Sequence, residues 1–95
     1  MIHPMRPTLD EIRERLAGGF PGALIELEDD SHLHAGHEGA KGGAGHFRAR
    51  LVSGRFAGLS KVARHRLVYD CLRDWMPHRI HALTIDARSP DEAAG

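Results

Sequence analysis

The chain has 95 residues, 13 basic and 13 acidic side chains, eight histidines and one cysteine. That length predicts one domain with a modest core, and no apolar run approaches the roughly 20 residues of a membrane helix, so no membrane partner is expected. Zero net charge argues against strong non-specific binding of nucleic acid, and a lone Cys71 favours a reducing, cytoplasmic compartment.

Capping residues and glycines predict where the first helix begins and ends. Residues 1–7 are expected to form a flexible tail, and the domain is expected to cover 8–94. Thr8 and Glu11 have the spacing of a capping box, so a helix is predicted to begin there and to end at the glycine pair 18–19. A strand is predicted over 24–28. The segment 29–45 then reads as a long loop, and loops of that length inside a small domain are usually functional or disordered.

The second half of the chain predicts a strand, a helix and a strand. Phe47, Ala49 and Leu51 alternate with arginines, which is the period of a half-buried strand. Ser60 can cap a helix from Lys61 to Met76. Its predicted apolar half comprises Val62, His65, Val68, Tyr69, Cys71, Leu72, Trp75 and Met76. A third strand is predicted from Ile80 to Ala87, with His81, Leu83 and Ile85 on one face, and Ser89 is predicted to cap a short last helix.

This order predicts an α+β domain with a three-stranded mixed sheet. The first two strands are expected to be antiparallel, and the helical crossover makes the second and third parallel. Because the second and third strands are parallel, both begin at the same end of the sheet, and the long loop leads into the second strand at that end. His81 should therefore lie near His32, His34 and His37. Imidazoles suit iron, zinc or copper, but two ligands do not close a site, so a partner or cofactor would supply the others. The alternative is that these are surface histidines that bind nothing.

Several motifs resemble those of BolA-like proteins. They are Phe56-Ala57-Gly58-Leu59-Ser60, Arg64-His65-Arg66-Leu67-Val68-Tyr69, Ile80-His81-Ala82-Leu83 and Ser31-His32-Leu33-His34-Ala35-Gly36-His37. The resemblance covers about residues 8 to 92. It implies a KH-like fold of the second class, with the order helix, strand, strand, helix, strand, helix.

The resemblance also implies a function and a site. BolA-like proteins pair with monothiol glutaredoxins and share a bridging 2Fe–2S cluster, in iron–sulfur trafficking or iron regulation, with sulfur ligands from the glutaredoxin and glutathione. His81 matches the family's strand ligand, and His34 matches the loop ligand, with His37 as the runner-up. Alone, the chain is expected to be a monomer or a weak dimer. The chain departs from the family pattern at Gly45, where threonine or serine is common.

Two other classes of function compete with this one. An enzyme is the least expected, because no Ser–His–acid or Cys–His arrangement is apparent and Cys71 is predicted to be buried. Some family members are described as transcriptional regulators in stress responses, and seven Lys or Arg lie between Arg48 and Arg73. The residues proposed for phosphate contacts are Arg55, Lys61, Arg64 and Arg66. The KH-type Gly-x-x-Gly phosphate clamp is missing, although Gly54 to Gly58 lies near where one would be expected, and Glu26, Glu28, Asp29 and Asp30 form an acidic cluster.

Overall fold

The computed structural model describes residues 6–30 and 45–94. Helix α1 spans Leu9–Gly19 and begins with the predicted capping box, in which Thr8 accepts a hydrogen bond from the Glu11 amide at 3.1 Å and the Glu11 carboxylate accepts from the Thr8 amide at 2.8 Å. Of the predicted tail, only 6 and 7 are described. Pro7 is fully buried and the Arg6 guanidinium lies 3.9 Å from the Asp29 carboxylate, so these two residues belong to the folded domain.

The sheet has the predicted topology. Its strands are β1 (Leu24–Asp29), β2 (Gly45–Val52) and β3 (Ile80–Arg88), in the order β1-β2-β3. β1 pairs antiparallel with β2, and β2 pairs parallel with β3, as the loop and crossover connections require. The alternation along β2 is confirmed, since Phe47, Ala49 and Leu51 are buried beneath the helices while Arg48 and Arg50 are exposed.

The crossover helix α2 covers Lys61–Leu72 and is followed by a 3-10 turn at Arg73–Trp75, so the predicted α-helix to Met76 is too long. Ser60 caps it as expected, accepting from the Ala63 amide at 3.1 Å. The predicted apolar half is too wide, because Val62 is 66% exposed and Tyr69 is 36% exposed. At 3.6 residues per turn these two side chains lie about 100–120° around the helix from Val68, outside the strip that the sheet covers.

One core joins the helices to the sheet. Its fully or nearly buried apolar residues are Ile12, Leu16, Phe20, Phe47, Ala49, Leu51, Phe56, Val68, Leu72, Trp75, Ile80, Leu83 and Ile85. Two arginines complete its rim: the Arg15 guanidinium lies 4.0 Å from the centre of the Trp75 ring, and that of Arg79 lies 5.1 Å from it.

Side chains from the helices cap both edges of the sheet. The Tyr69 hydroxyl donates to the Leu83 carbonyl at 3.3 Å, and the Arg64 guanidinium donates to the Ala87 carbonyl at 3.1 Å, both on β3. On β1, the Arg13 guanidinium donates to the Ile25 carbonyl at 2.5 Å. These carbonyls therefore have protein donors although no further strand lies beside them in the sheet.

The chain ends in the short helix α3 (Pro90–Ala94). Ser89 caps it as predicted: the Ser89 hydroxyl accepts from the Glu92 amide at 3.4 Å, and the Glu92 carboxylate accepts from the Ser89 amide at 2.8 Å. Glu92 also receives two hydrogen bonds from Arg64, which fastens α3 to α2.

Candidate metal centre

An irregularity at the start of β3 determines where His81 lies. Gly45 pairs with Ile80, but the next residue of β2, His46, pairs with Ala82, so β3 has one extra residue there. That residue is His81. Such a bulge reverses the alternation of faces and re-aims a side chain. The predicted shared face of His81, Leu83 and Ile85 is therefore wrong: His81 is exposed, whereas Leu83 and Ile85 are buried.

The bulge brings His81 beside a histidine that the sequence reasoning did not single out. The ring centres of His46 and His81 are 5.1 Å apart, and their planes are inclined by 49°. His46 is half-buried and His81 is exposed. A signal for this pair was available, since two parallel strands that begin at one end place their first residues side by side. The extra residue in β3 was not visible in the sequence pattern.

The predicted loop ligands, His34 and the runner-up His37, lie outside the described residues, as does His32. The two ends of their segment are described. The Asp30 amide donates to the His46 carbonyl at 2.7 Å, and the Gly45 amide donates to the Arg79 carbonyl at 3.0 Å. Both ends of segment 31–44 are therefore attached at the end of the sheet where β3 begins, and His81 is the second residue of β3.

Gly45 itself has a steric reason to be glycine in this chain. A Cβ atom there would lie 2.2 Å from an edge carbon of the Phe47 ring and 3.1 Å from the Arg6 Cβ atom. Phe47 is a core residue, so its ring is confined by its neighbours. The departure from the usual threonine or serine thus follows from how Phe47 packs beneath the start of β2.

Within 6–30 and 45–94, no group of three or more His, Cys, Asp or Glu side chains has the arrangement of a metal site. A closed structural zinc site has four ligands. The described residues therefore offer a pair of imidazoles and no closed centre.

The four basic residues considered for phosphate contacts have different surroundings. The Arg55 guanidinium donates to the Gly19 carbonyl and lies 4.9 Å from the centre of the Phe20 ring. The Arg64 side chain is only 13% exposed and donates to the Leu59 and Ala87 carbonyls and to Glu92. Arg55 and Arg64 thus hold elements of the fold together, whereas Lys61 and Arg66 are exposed on α2.

The arginines of β2 are balanced by acids on β1. Arg48 lies opposite Glu28, with 3.5 Å between the charged groups, and 3.3 Å from the Asp30 carboxylate. Arg50 lies opposite Glu26, at 4.0 Å. The Arg48–Glu28 and Arg50–Glu26 pairs are exposed, and exposed pairs contribute little stability, roughly 0–1 kcal/mol each. Their effect here is on the surface potential, because the acids offset the positive charge that a phosphate backbone would meet.

Two further features bear on chemistry. A groove of about 550 Å³ between α2 and β3 is lined by Lys61, Arg64, His65 and Arg88, but Asp86 and Glu92 line it too, so its charge is mixed.

Cys71 is half-buried, its thiol lies 3.6 Å from the Leu67 carbonyl, and burial raises its pKa. A thiol with a raised pKa is a poor nucleophile and a poor metal ligand.

The comparisons with known proteins agree with this fold. A family model for BolA-like proteins matches residues 16–92. SufE-like protein 1 of Arabidopsis thaliana is 45% identical to the chain over 86 residues, which cover 85% of this chain and 23% of that protein. Protein BOLA1 of the same plant is 40% identical over 85 residues, 86% of this chain and 53% of the relative. The chain thus spans about a quarter and about half of these two relatives.

Solved structures show the same likeness. The BolA domain of SufE1 from Arabidopsis thaliana is similar with a TM-score of 0.77 at 44% identity, and the match covers 87% of this chain and 92% of that domain. BolA1 from Arabidopsis thaliana is similar with a TM-score of 0.73 at 34% identity, over 96% of this chain and 98% of that one. With the fold, the motifs and these matches in agreement, the chain belongs to the BolA-like protein family.

Proposed function

We propose that this protein pairs with a monothiol glutaredoxin and shares a bridging 2Fe–2S cluster, as cargo in iron–sulfur trafficking or iron regulation. The observation that supports this most is the position of His81. The bulge leaves its imidazole exposed at the start of β3, beside the two points where segment 31–44 joins the sheet. A partner can reach a ligand placed there without opening the core.

The residues present suit such a cluster. Imidazole nitrogen is a ligand for iron, and clusters with two histidines on one iron are known. His81 would hold one position, and a histidine of the segment 31–44 would hold the second, His34 by preference and His37 as the runner-up. The glutaredoxin and its glutathione would supply the sulfur ligands.

This proposal makes the chain a binding partner and not an enzyme. Cys71, the only cysteine, is set within α2 with a raised pKa, so it is assigned no part in the chemistry. We also propose a cytoplasmic location, since one thiol that cannot form an internal disulfide suits a reducing compartment. Within the residues described, no helix is long and apolar enough to cross a membrane.

The test is spectroscopic. The protein is mixed with a monothiol glutaredoxin, glutathione and reconstituted cluster, and visible absorption and circular dichroism are recorded. His81→Ala should abolish the spectrum of the mixed complex. It should leave the far-ultraviolet spectrum of the protein unchanged, because His81 is exposed and makes no part of the core. His78→Ala, also exposed and just before β3, is the matched control and should behave as wild type.

The loop ligand is identified by the same measurement. His34→Ala should weaken the mixed-complex spectrum more than His37→Ala if His34 is the ligand, and the reverse order would assign His37. An unchanged spectrum in the variant that carries both substitutions would remove the loop from the ligand set. An unchanged spectrum in His81→Ala would overturn the proposed function.

A further inference from the structure

The outer edge of β3 is closed at two points and open between them. The Tyr69 hydroxyl donates to the Leu83 carbonyl at 3.3 Å, and the Arg64 guanidinium donates to the Ala87 carbonyl at 3.1 Å. The backbone N–H and C=O of one strand residue point to the same side, and this side alternates along the strand. Leu83, Ile85 and Ala87 therefore all present their backbone groups to the outer edge.

Three backbone groups remain open between the two capped carbonyls. They are the N–H and the C=O of Ile85 and the N–H of Ala87. Among residues 6–30 and 45–94, none of the hydrogen bonds made by side chains, loops or turns uses them. The Arg88 carbonyl accepts from the Ser53 amide at 3.0 Å, which shows that the alternate residues of β3 face β2 instead. An extended peptide can pair with an edge that offers one acceptor and two donors in this way.

The open groups border the groove of about 550 Å³ between α2 and β3, a volume within the usual range of ligand sites. Two of its cations are bound to its two carboxylates, in the pairs Arg64–Glu92 and Arg88–Asp86, at 2.6 and 3.0 Å. Lys61 also lines the groove, and the first turn of α2 contains no acid. The groove therefore has one cation, Lys61, without a carboxylate partner in the described part of the chain, which suits an anionic group.

The two caps determine the direction and the length of a ligand. Arg64, near the start of α2, reaches Ala87, and Tyr69, farther along α2, reaches Leu83, so α2 runs antiparallel to β3. Lys61, the first residue of α2, therefore lies at the Ala87 end of the groove. The Arg64 side chain is only 13% exposed and blocks that end. A peptide that enters past Tyr69 thus has to end beside Lys61, where a carboxylate is attracted and an amine is repelled.

We propose that this groove binds the C-terminal end of a partner polypeptide, as a short extended segment that runs parallel to β3. The N–H of its last residue donates to the Ile85 carbonyl, and its carboxylate accepts from the Ala87 amide beside the Lys61 ammonium. The carbonyl two residues earlier accepts from the Ile85 amide. Leu83 and Ala87 are about 13 Å apart at roughly 3.3 Å per residue, so a segment of about three residues fits without displacing either cap.

The test is a two-dimensional NMR titration of the full chain in the absence of glutaredoxin. The probe is the tripeptide acetyl-Ala-Ala-Leu with a free carboxylate, and its leucine is chosen because Leu59 lines the groove and is 36% exposed. The amide signals of Ile85, Ala87 and Lys61 should shift as peptide is added, while that of Ala82, near the start of β3, should not. Absence of these shifts, or shifts confined to residues outside the groove, would overturn the proposal.

Changes in the peptide distinguish capture of a chain end from general adhesion. Conversion of the carboxylate to a carboxamide should weaken binding at least about fivefold, because a charge-assisted hydrogen bond becomes a neutral one. Methylation of the last peptide nitrogen should abolish binding, since that N–H donates to Ile85. Methylation of the preceding nitrogen is the control and should leave the affinity unchanged, because that N–H points away from β3. Equal affinities of the acid and the carboxamide, or the same shifts with inorganic phosphate alone, would overturn the proposal.

A pair of protein variants tests the position of the carboxylate. Lys61→Gln should weaken binding of the tripeptide about two- to fivefold, as expected for loss of an exposed ion pair. Arg66→Gln is the matched control, because Arg66 is an exposed cation of α2 outside the lining of the groove, and it should bind as wild type does. Equal losses in both variants would show attraction to the basic helix as a whole and would overturn the proposal. The groove lies toward the end of β3 opposite His81, so failure of cluster sharing would leave this result unaffected.

Discussion

The Arg64 guanidinium contacts both carboxylate oxygens of Glu92, at 2.6 and 3.2 Å, and so joins α2 to α3 across 28 residues of chain. With the hydrogen bond from the Ser89 amide, this contact lowers the pKa of Glu92 from 4.5 to about 2. A carboxylate with a depressed pKa stabilises the fold above its unfolded pKa, and the contribution is lost as the pH falls through the folded value.

The first prediction is a pH dependence of stability. Between pH 4.5 and about 2, the free energy of unfolding should fall partly because Glu92 takes up a proton on unfolding. Glu92→Gln should make that fall shallower in urea titrations across this range. Asp91→Asn, which removes a carboxylate from the same helix but not the one that contacts Arg64, is the matched control. If the free energy of unfolding falls equally with pH in Glu92→Gln and in wild type, the contact between Arg64 and Glu92 does not contribute to stability.

The second prediction concerns the buried strip of α2. Leu72 is fully buried in the core, so Leu72→Ala should lower the free energy of unfolding by about 2–5 kcal/mol. Val62 lies on the same helix but is 66% exposed, so Val62→Ala should change it by at most about 0.5 kcal/mol. Chemical denaturation of both variants gives the comparison. A large decrease in the free energy of unfolding for Val62→Ala would show that the Val62 side chain packs against the core.

The third prediction uses the two glycines that end α1. A Cβ atom at Gly19 would lie 2.4 Å from the Cys71 sulfur, whereas one at Gly18 would meet nothing within 4 Å. Gly18→Ala should therefore stabilise the protein by up to about 1 kcal/mol, because alanine favours a helix. Gly19→Ala should destabilise it, and the double variant Gly19→Ala with Cys71→Ala should recover part of the loss. Thermal unfolding measures all three, and equal effects at both glycines would contradict the contact.

The fourth prediction is weak, electrostatic binding to duplex DNA. Arg55 and Arg64 are engaged within the fold, and Arg48 and Arg50 face acids, so Lys61 and Arg66 are expected to make most of the phosphate contacts. Affinity should be low at physiological salt and fall steeply as salt rises. Replacing both Lys61 and Arg66 with alanine should reduce it further, while Arg48→Ala should not. Tight, sequence-selective binding at physiological salt would instead support a transcriptional regulator.

Much of the fold follows from local signals in the sequence. Thr8, Ser60 and Ser89 each cap the helix predicted for them, because capping depends on residues within one turn. The strand directions also follow, since a direct connection and a helical crossover leave few alternatives. The burial of Val62 was wrongly predicted because helical periodicity gives the direction of an apolar face, whereas the sheet beneath determines how wide a strip is covered.

The candidate site was less accessible to sequence reasoning. The parallel strands correctly placed His81 at the end of the sheet where segment 31–44 is attached. His81 was assigned to the wrong face of the sheet because the extra residue between Ile80 and Ala82 leaves no local signal in the sequence. Pairing with β2 produces it, and pairing is a long-range property. For the same reason the pairing of His46 with His81 was not predicted, because the bulge in β3 is what places these two rings side by side.

The side-chain hydrogen bonds at the edges of the sheet bear on how readily another strand could pair there. Exposed strand edges are templates for intermolecular β-pairing, and natural sheets protect them with charged side chains or other cover. Here an incoming strand would have to displace Tyr69 and Arg64 from the carbonyls of β3, or Arg13 from that of β1. Through these three side chains the helices therefore do more than cover one face of the sheet: they also make pairing of a second copy at either edge less favourable, while His81 at the start of β3 stays exposed.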